Sequence, residues 1–366
     1  MRVSSLSEIE LFLKENQKKK IFLLTGVNSF KKSGAFKLFK NKNLNLKIYF
    51  KKLFYPEITE LKLIAKSLRA FNPEIVIAVG GGSVLDYSKI LKVINLNDEI
   101  SNQVFNSKKK SFKSNFKLIV IPTTAGSGAE VTSNAVIYKK KIKFSVEDKL
   151  LRPNLFFLVK EFVIRGNKKI KASSGFDAIA QAIESIISIK SNKKSIVFAS
   201  KSLELSSRNF INFVNKPNLE NVNKMCIAAN LSGEAINITK TTAPHALSYP
   251  FTAHFGISHG HAVSLTLNDF LKFNYKNSKY SYPEIDLKKR FQIIFKSTNC
   301  KNIAELDNFL KLLKKKTFLN DNLEKLGIFL PRDLDKILKG VNLQRLKNNP
   351  IKLKKNDLVS VLKKQY

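Results

Sequence analysis

The sequence predicts an α/β domain followed by an all-helical one. Three observations carry this expectation. Short β-branched apolar runs alternate with amphipathic stretches over the first 160 or so residues, the pattern changes to helical spacing after about residue 165, and 366 residues are too many for one ordinary compact core.

In the first part, Ile21–Thr25, Leu46–Phe50, Ile75–Val79 and Leu118–Ile121 read as short buried strands. Between them Ile58–Phe71 reads as a helix, with Ile58, Leu61, Ile64, Ala65 and Leu68 on one face. This alternation argues for a parallel sheet with helices on both faces. Asn134–Tyr138 and Lys143–Val146 around a lysine-rich turn read as a β-hairpin, and Leu155–Val159 as a last strand. Beyond it, Phe176, Ile179, Ala180, Ile183, Ile186 and Ile187 form an apolar stripe at helical spacing. Further helices fit Ile196–Asn212, Asn221–Ile238, Ala262–Asn274 and the C-terminal third. Without an internal repeat or a low-complexity linker, the expected division is 1–163 and 164–366.

The charge is +37, from 65 basic and 28 acidic residues. Lysines are spread along the chain, with small clusters at Lys108–Lys110, Lys139–Lys141 and Lys314–Lys316, and arginine is scarce. A nucleic-acid binder would group its basic residues into a stripe or tail and use arginine for phosphate. The joint abundance of Lys, Asn, Ile and Phe looks instead like the codon choice of an AT-rich genome, so no nucleic-acid partner is expected. A small anionic substrate would still gain from the field. No apolar run is long enough to span a bilayer, and the first residues lack the order of a signal peptide, so the expected location is the cytoplasm. Cys226 and Cys300 fit no metal or redox spacing and read as reduced.

Ile75–Val79 runs straight into Gly80, Gly81, Gly82 and Ser83, with Asp86 following. Glycines let a backbone approach a diphosphate, and the free N–H groups of a helix start point at it. Ser83 with Asp86 also forms a capping-box pattern. A tight turn alone is the plainer alternative, but three glycines exceed what a turn needs. The usual GxGxxG fingerprint is missing. The next strand ends in a loop carrying Thr123, Thr124 and Ser127, which reads either as solvated or as the second wall of one cofactor site.

All four histidines, His245, His254, His259 and His261, fall in one short window. Such clustering favours a metal or acid–base role over scattered packing.

These blocks together resemble the iron-containing alcohol dehydrogenase family. GGGSVLDYSK is similar to the family's GGGSxxDxAK turn, PTTAGSGAEVT to its PTTxGTGSEVT loop, and SGFDAIAQAIES to its helix with D-A-x-x-H-x-x-E. The spacing of His245 and His259 matches the family's two later metal ligands. The resemblance implies an N-terminal nucleotide-binding α/β domain and a helical metal- and substrate-binding domain, a fold shared with dehydroquinate synthase-like enzymes. It implies NADH or NADPH as cofactor, a divalent metal, Fe(II) ahead of Zn(II), and a small anionic aldehyde as substrate, with a homodimer allowed.

Carried over by position, Asp177, His245 and His259 are implied metal ligands, and Gln181 stands where the family has its remaining histidine. Asp177 and Gln181, four apart, share a helix face. Gln offers a neutral carbonyl oxygen, a weaker ligand than imidazole. Tyr249 stands where many members have a histidine near the nicotinamide, and with His259 it forms the implied catalytic set. Gly26 stands where NAD-preferring members often carry an acidic residue, so a 2′-phosphate meets no repulsion there, and Ser29 lies beside it. Lys143 completes the candidate cofactor set. The run Asn237, Thr239, Lys240 and Thr241 before His245 offers donors for an acid group and is similar to the family's phosphonoacetaldehyde reductase branch, which forms 2-hydroxyethylphosphonate. Reduction of another small aldehyde, such as lactaldehyde, is the rival reading, and an inactive basic binding protein on the same fold is the rival from another class.

Overall fold

A computed structural model describes residues 3–40, 43–106 and 112–363. The lysine cluster Lys108–Lys110 lies outside the described residues. The chain divides into two compact units, Met1–Thr124 with Gly128–Gly166, and Ala125–Ser127 with Asn167–Tyr366.

The first unit carries strands β1 (Ile21–Gly26), β2 (Leu46–Lys51), β3 (Ile75–Gly80), β4 (Lys117–Pro122), β5 (Asn134–Lys139), β6 (Ile142–Glu147) and β7 (Leu155–Phe156). Its helices are α1 (Leu6–Glu15), α2 (Val27–Lys32), α3 (Phe36–Phe39), α4 (Ile58–Phe71), α5 (Gly82–Leu91), α6 (Ile100–Phe105) and α7 (Lys160–Ile164). The main sheet has the order β2-β1-β3-β4-β7 and is parallel throughout. Every residue of β1 and β3 is buried, which is why both read as unbroken apolar runs rather than alternating ones.

Alternate side chains feed two cores. Phe22, Leu24, Val76, Ala78, Leu118 and Val120 pack with α4 and α5 on one face. Ile21, Leu23, Ile75, Ile77, Ile119 and Ile121 pack on the other with Leu13 of α1, Phe30 of α2 and Phe162 of α7. Each such fully buried side chain contributes about 1.5–3 kcal/mol before entropy is charged. The strand order changes direction between β1 and β3, and open α/β sheets bind ligands beyond the carboxyl ends of the strands at such a switch point. Gly26 ends the first of those two strands, and Gly80 ends the second, with Gly81 and Gly82 following.

The last strand is shorter than the expected Leu155–Val159. Only Leu155 and Phe156 pair with β4. The Leu158 carbonyl accepts from Ser4 N–H instead, at 2.8 Å, and Phe157, Leu158 and Val159 spend their apolar side chains on burial before α7 begins. The β5–β6 hairpin forms as expected.

The second unit is helical. It runs through α8 (Lys168–Ile187), α9 (Lys193–Asn215), α10 (Leu219–Thr239), α11 (Ala243–Phe255) and α12 (His259–Lys276) to α13 (Leu287–Thr298), α14 (Ile303–Lys316), α15 (Leu330–Lys339), α16 (Leu343–Leu346) and α17 (Lys355–Lys363). From Gly175 to Ile187 every residue of α8 is buried, and α8 packs against α9, α10, α12 and α13. A helix buried all round marks the centre of a bundle, so its few polar residues lie deep. Helix α12 begins at His259, three residues before the expected start at Ala262. Both cysteines are free thiols. Among the described residues no helix is long and apolar enough to cross a membrane.

Candidate functional site

The first unit supplies a backbone site. Gly81 is the N-cap of α5 in extended conformation, and no side chain caps the helix start. Ser83 therefore lies inside the helix, and the expected Ser83–Asp86 capping box does not form, because the N-cap falls two residues earlier, on Gly81. The uncapped N–H groups are what an anion would use.

The glycines differ in what they permit. A Cβ on Gly80 would lie 2.6 Å from Val84 Cγ2, so this glycine serves the packing of α5 on β3. A Cβ on Gly81 would meet only Thr124, at 3.6 Å. That position has room, which a diphosphate approaching the backbone could use. The two loops are joined, since Thr123 N–H donates to the Gly80 carbonyl at 3.0 Å. Gly26 is the N-cap of α2, and Ser29 Oγ donates back to its carbonyl at 3.0 Å.

Behind the turn, Lys89 is fully buried and donates to the Ala129 carbonyl at 3.0 Å, Thr132 Oγ1 at 2.8 Å and the Asn134 carbonyl at 2.5 Å. It pins the segment that follows the threonine loop. Burial raises the Asp86 carboxyl to about 6, opposed by the charges of Lys89 and Lys143. Ser127 groups with the helical unit, whereas Thr123 and Thr124 stay with the sheet.

The second unit supplies a side-chain site. Asp177 on α8, His245 on α11 and His259 at the start of α12 bring one ligand atom each to within 4.8 Å of one another. Gly260 makes this approach feasible, since a Cβ there would sit 1.9 Å from the Ser173 carbonyl oxygen and 2.8 Å from Asp177 Cβ. His245 Nε2 lies 3.1 Å from Asp177 Oδ1. Its other nitrogen, Nδ1, is held by Glu184 Oε2. Glu184 Oε1 accepts from Thr242 N–H and Thr242 Oγ1, both at 2.9 Å. One buried carboxylate thus caps the start of α11 and fixes the imidazole so that Nε2 faces Asp177. Burial opposes a charge on His245, but the Glu184 and Asp177 carboxylates outweigh it and raise the imidazole to about 9. In the motif at Asp177, the glutamate seven residues on was visible, but its role was not.

Gln181 is buried next to Asp177, as its spacing predicted, but in a particular orientation. Its Nε2 donates to Asp177 Oδ2 at 3.1 Å, and its Oε1 lies 3.0 Å from Ser232 Oγ. So placed, the amide steadies the carboxylate and turns its oxygen towards α10.

The remaining histidines do not join the cluster. His261 Nε2 lies 2.6 Å from the Asn320 carbonyl, and His254 sits in the last turn of α11 beside Phe255. Tyr249 is buried, and its ring stacks on His259 with centroids 5.9 Å apart. Burial pushes its phenol up, while the guanidinium of Arg345 and hydrogen bonds from Arg345 and Thr241 pull the other way. Sequence reasoning missed Arg345 altogether, since a single arginine in a short helix carries no motif.

In the expected substrate run, Thr239 is fully buried, and its hydroxyl lies 3.0 Å from Ser185 Oγ and 3.2 Å from the Ala235 carbonyl, so it serves the helix junction. Lys240 ends α10 in left-handed backbone, φ 59°, and is half-buried. Asn237 is half-buried on the last turn of α10, and Thr241 is buried beside Tyr249.

The donor set of one carboxylate and two imidazoles suits a divalent transition metal, and the uncapped glycine turn suits a diphosphate. Comparison with known proteins agrees. The profile of the iron-containing alcohol dehydrogenases matches residues 2–159, and that of the Fe-containing alcohol dehydrogenase C-terminal domain matches 171–366. The 4-hydroxybutyrate dehydrogenase of Clostridium kluyveri is 30% identical over 80% of this chain and 78% of its own. The phosphonoacetaldehyde reductase of Streptomyces viridochromogenes is 28% identical over 58% of this chain and 56% of its own. The crystal structure of sulfoacetaldehyde reductase from Bifidobacterium kashiwanohense in complex with NAD+ superposes with a TM-score of 0.86, at 27% identity, over 98% of this chain and 94% of that one. With both profiles matched in order and the metal cluster in place, this chain belongs to the iron-containing alcohol dehydrogenase family of oxidoreductases.

Proposed function

We propose that this chain uses NADH or NADPH to reduce a small aldehyde bearing an acid group, best read as phosphonoacetaldehyde, to the alcohol. The observation that carries the reading is the convergence of Asp177, His245 and His259 beside the stacked ring of Tyr249. Support for the acid group comes from three relatives, named for 4-hydroxybutyrate, phosphonoacetaldehyde and sulfoacetaldehyde. All three compounds carry an anion at the end remote from the reacting carbon.

In this reading Asp177, His245 Nε2 and His259 would hold Fe(II) or Zn(II), whose chemistry when bound would be Lewis-acid polarisation of a carbonyl oxygen, with the hydride coming from a bound nicotinamide. Glu184 keeps His245 in the tautomer that leaves Nε2 free to ligate. Tyr249 stays a neutral phenol under burial and can pass a proton towards the alkoxide. Gly81 and the start of α5 take the diphosphate, with Gly82, Ser83, Thr123 and Thr124 around it. Gly26 and Ser29 would lie at the adenosine ribose, and Lys143 balances Asp86.

The test is a panel of aldehydes assayed with each cofactor after addition of Fe(II) or Zn(II). Phosphonoacetaldehyde should give the highest kcat/KM. A higher value for succinic semialdehyde would favour the second reading, a carboxylate-bearing substrate, which the longer match to 4-hydroxybutyrate dehydrogenase supports. A preference for uncharged aldehydes would overturn the acid-group reading and leave the family assignment standing.

A further inference from the structure

Three consecutive carbonyls where α10 hands over to α11 are each met by a side chain. The Thr239 carbonyl accepts from Ser188 Oγ at 3.0 Å, the Lys240 carbonyl has Thr239 Oγ1 at 2.8 Å, and the Thr241 carbonyl accepts from Asn348 Nδ2 at 3.0 Å. The backbone between the helices needs such support. Lys240 stands at φ 59° and ψ 176°, a conformation that glycine takes freely and a residue with a Cβ holds only where its surroundings impose it. The same turn sets the start of α11, because the residue after these three, Thr242, is its N-cap. Thr242 gives both its N–H and its hydroxyl to Glu184, the carboxylate that holds His245 Nδ1. A turn that relaxed would carry Thr242 off Glu184 and let His245 swing.

Ser188 closes α8 and Thr239 closes α10, whereas Asn348 is brought to the turn from 107 residues beyond Thr241. It is buried, and its seat is built from several elements. Its carbonyl accepts from Ile189 N–H, just past the end of α8, at 3.1 Å. Its neighbour Asn349 exchanges amide hydrogen bonds with Asn274 of α12, at 3.1 and 3.3 Å. Upstream, Asn342 N–H meets the Ala246 carbonyl of α11 at 3.2 Å, where Pro250 has no N–H to give. Asn348 is thus a fixed point against which the turn is held.

We propose that Asn348 is a positioning residue of the metal site. Its amide holds the strained turn at Lys240, and through that turn the Thr242–Glu184 contact that aims His245 Nε2 at Asp177. It acts through Glu184 and is not itself a ligand. This rests on the metal-holding reading above.

The test measures Zn(II) affinity by competition with a chelating dye, on full-length metal-free protein below every melting midpoint, together with thermal melting. Asn348→Ala should lower the affinity about tenfold, the lower end for groups that orient a ligand from behind. In a Glu184→Gln background the same change should alter affinity by less than about twofold, since the route is already cut. Lys240→Gly in the Asn348→Ala protein should recover part of the loss, because glycine needs no hold on the turn. Should Asn348→Ala not melt cooperatively, Asn348→Ser carries the test and must lower the affinity severalfold. A lower melting temperature with unchanged affinity would overturn the proposal, reducing Asn348 to a support of the bundle. An undiminished loss in the Glu184→Gln background would overturn it too, by showing a route that bypasses Glu184. Zn(II) affinity that His245→Ala leaves intact would sink the metal reading itself, and is recognised without any change at position 348.

Discussion

The glycine turn of the first unit and the carboxylate–imidazole cluster of the second are built on opposite principles. At the turn, function depends on what is missing. Gly81 carries no side chain, α5 carries no side-chain cap, and the backbone N–H groups are left as the proposed binding surface. In the cluster, three helices each contribute a side chain, and a further ring of groups sets each one's direction. Glu184 directs His245, Gln181 steadies Asp177 and Tyr249 stacks on His259. A backbone site should fail when something is added, and a side-chain site when something is removed.

The largest expected effect is in the cluster. His245→Ala or His259→Ala removes an imidazole from a set of three strong donors, so metal retention and turnover should both be lost. Metal analysis of the purified variants decides it, and wild-type content in either variant would remove that histidine from the site. Glu184→Gln leaves all three donors in place but loses the charge that holds His245 Nδ1. Metal affinity should fall by about 10–100-fold. A competition assay with a chelating dye would read this directly, and unchanged affinity would reduce Glu184 to a cap for α11.

The same contrast explains what the sequence made legible. Strands β1 and β3 were legible because both their faces are buried, which forces continuous apolar residues onto short segments. The glycine turn was legible because its chemistry is local. The two clustered histidines were legible from a window in which all four fall together, although spacing alone could not say that His261 would turn to the Asn320 carbonyl. The supporting groups were not legible. Ser232 meets Gln181 from 51 residues away, Thr242 meets Glu184 from 58, and His245 meets Asp177 from 68. Only the packing of α8, α10 and α11 brings them together. Arg345, which hydrogen-bonds Tyr249, sits on a four-residue helix that leaves no pattern in one dimension.

The turn can be broken in two distinguishable ways. Gly80→Ala forces a Cβ to 2.6 Å from Val84 and should destabilise the first unit, by about 1–3 kcal/mol for an overpacked site. Gly81→Val enters space bounded only by Thr124 and should leave melting nearly unchanged while weakening both cofactors severalfold or more. Nicotinamide fluorescence titration set against thermal melting separates the two. A Gly81→Val variant that binds NADH as wild type would show that the diphosphate lies elsewhere.

Gln181→His sharpens the comparison from the other side, by adding a donor to a site built of donors. An imidazole there can point at the cluster, and metal affinity should rise about tenfold, provided that Ser232 accepts the loss of its amide partner. No rise in chelator competition would mean that the space beside Asp177 cannot take a ring.

The smallest expected effect belongs to Gly26→Asp, and it tests the adenosine end of the backbone site. Gly26 has ordinary extended backbone, φ −103°, so a side chain adds no strain. Its Cβ would lie 3.0 Å from Ser29 Oγ, which must turn aside by a few tenths of an ångström, and 4.0 Å from Lys51 Cγ. As the N-cap of α2, which no side chain now caps, position 26 also favours aspartate, so melting should hold or rise slightly. A change in cofactor use therefore cannot be put down to unfolding. The new carboxylate would repel a 2′-phosphate but accept a hydrogen bond from a 2′-hydroxyl. Lys51 lies near enough to screen part of that repulsion, so the expected penalty is about 1 kcal/mol, or roughly fivefold in the NADPH-to-NADH ratio of kcat/KM. The ratio should move through NADPH falling rather than NADH rising, because the wild-type glycine already admits both. Equal changes for the two cofactors would place the adenosine ribose away from the end of β1.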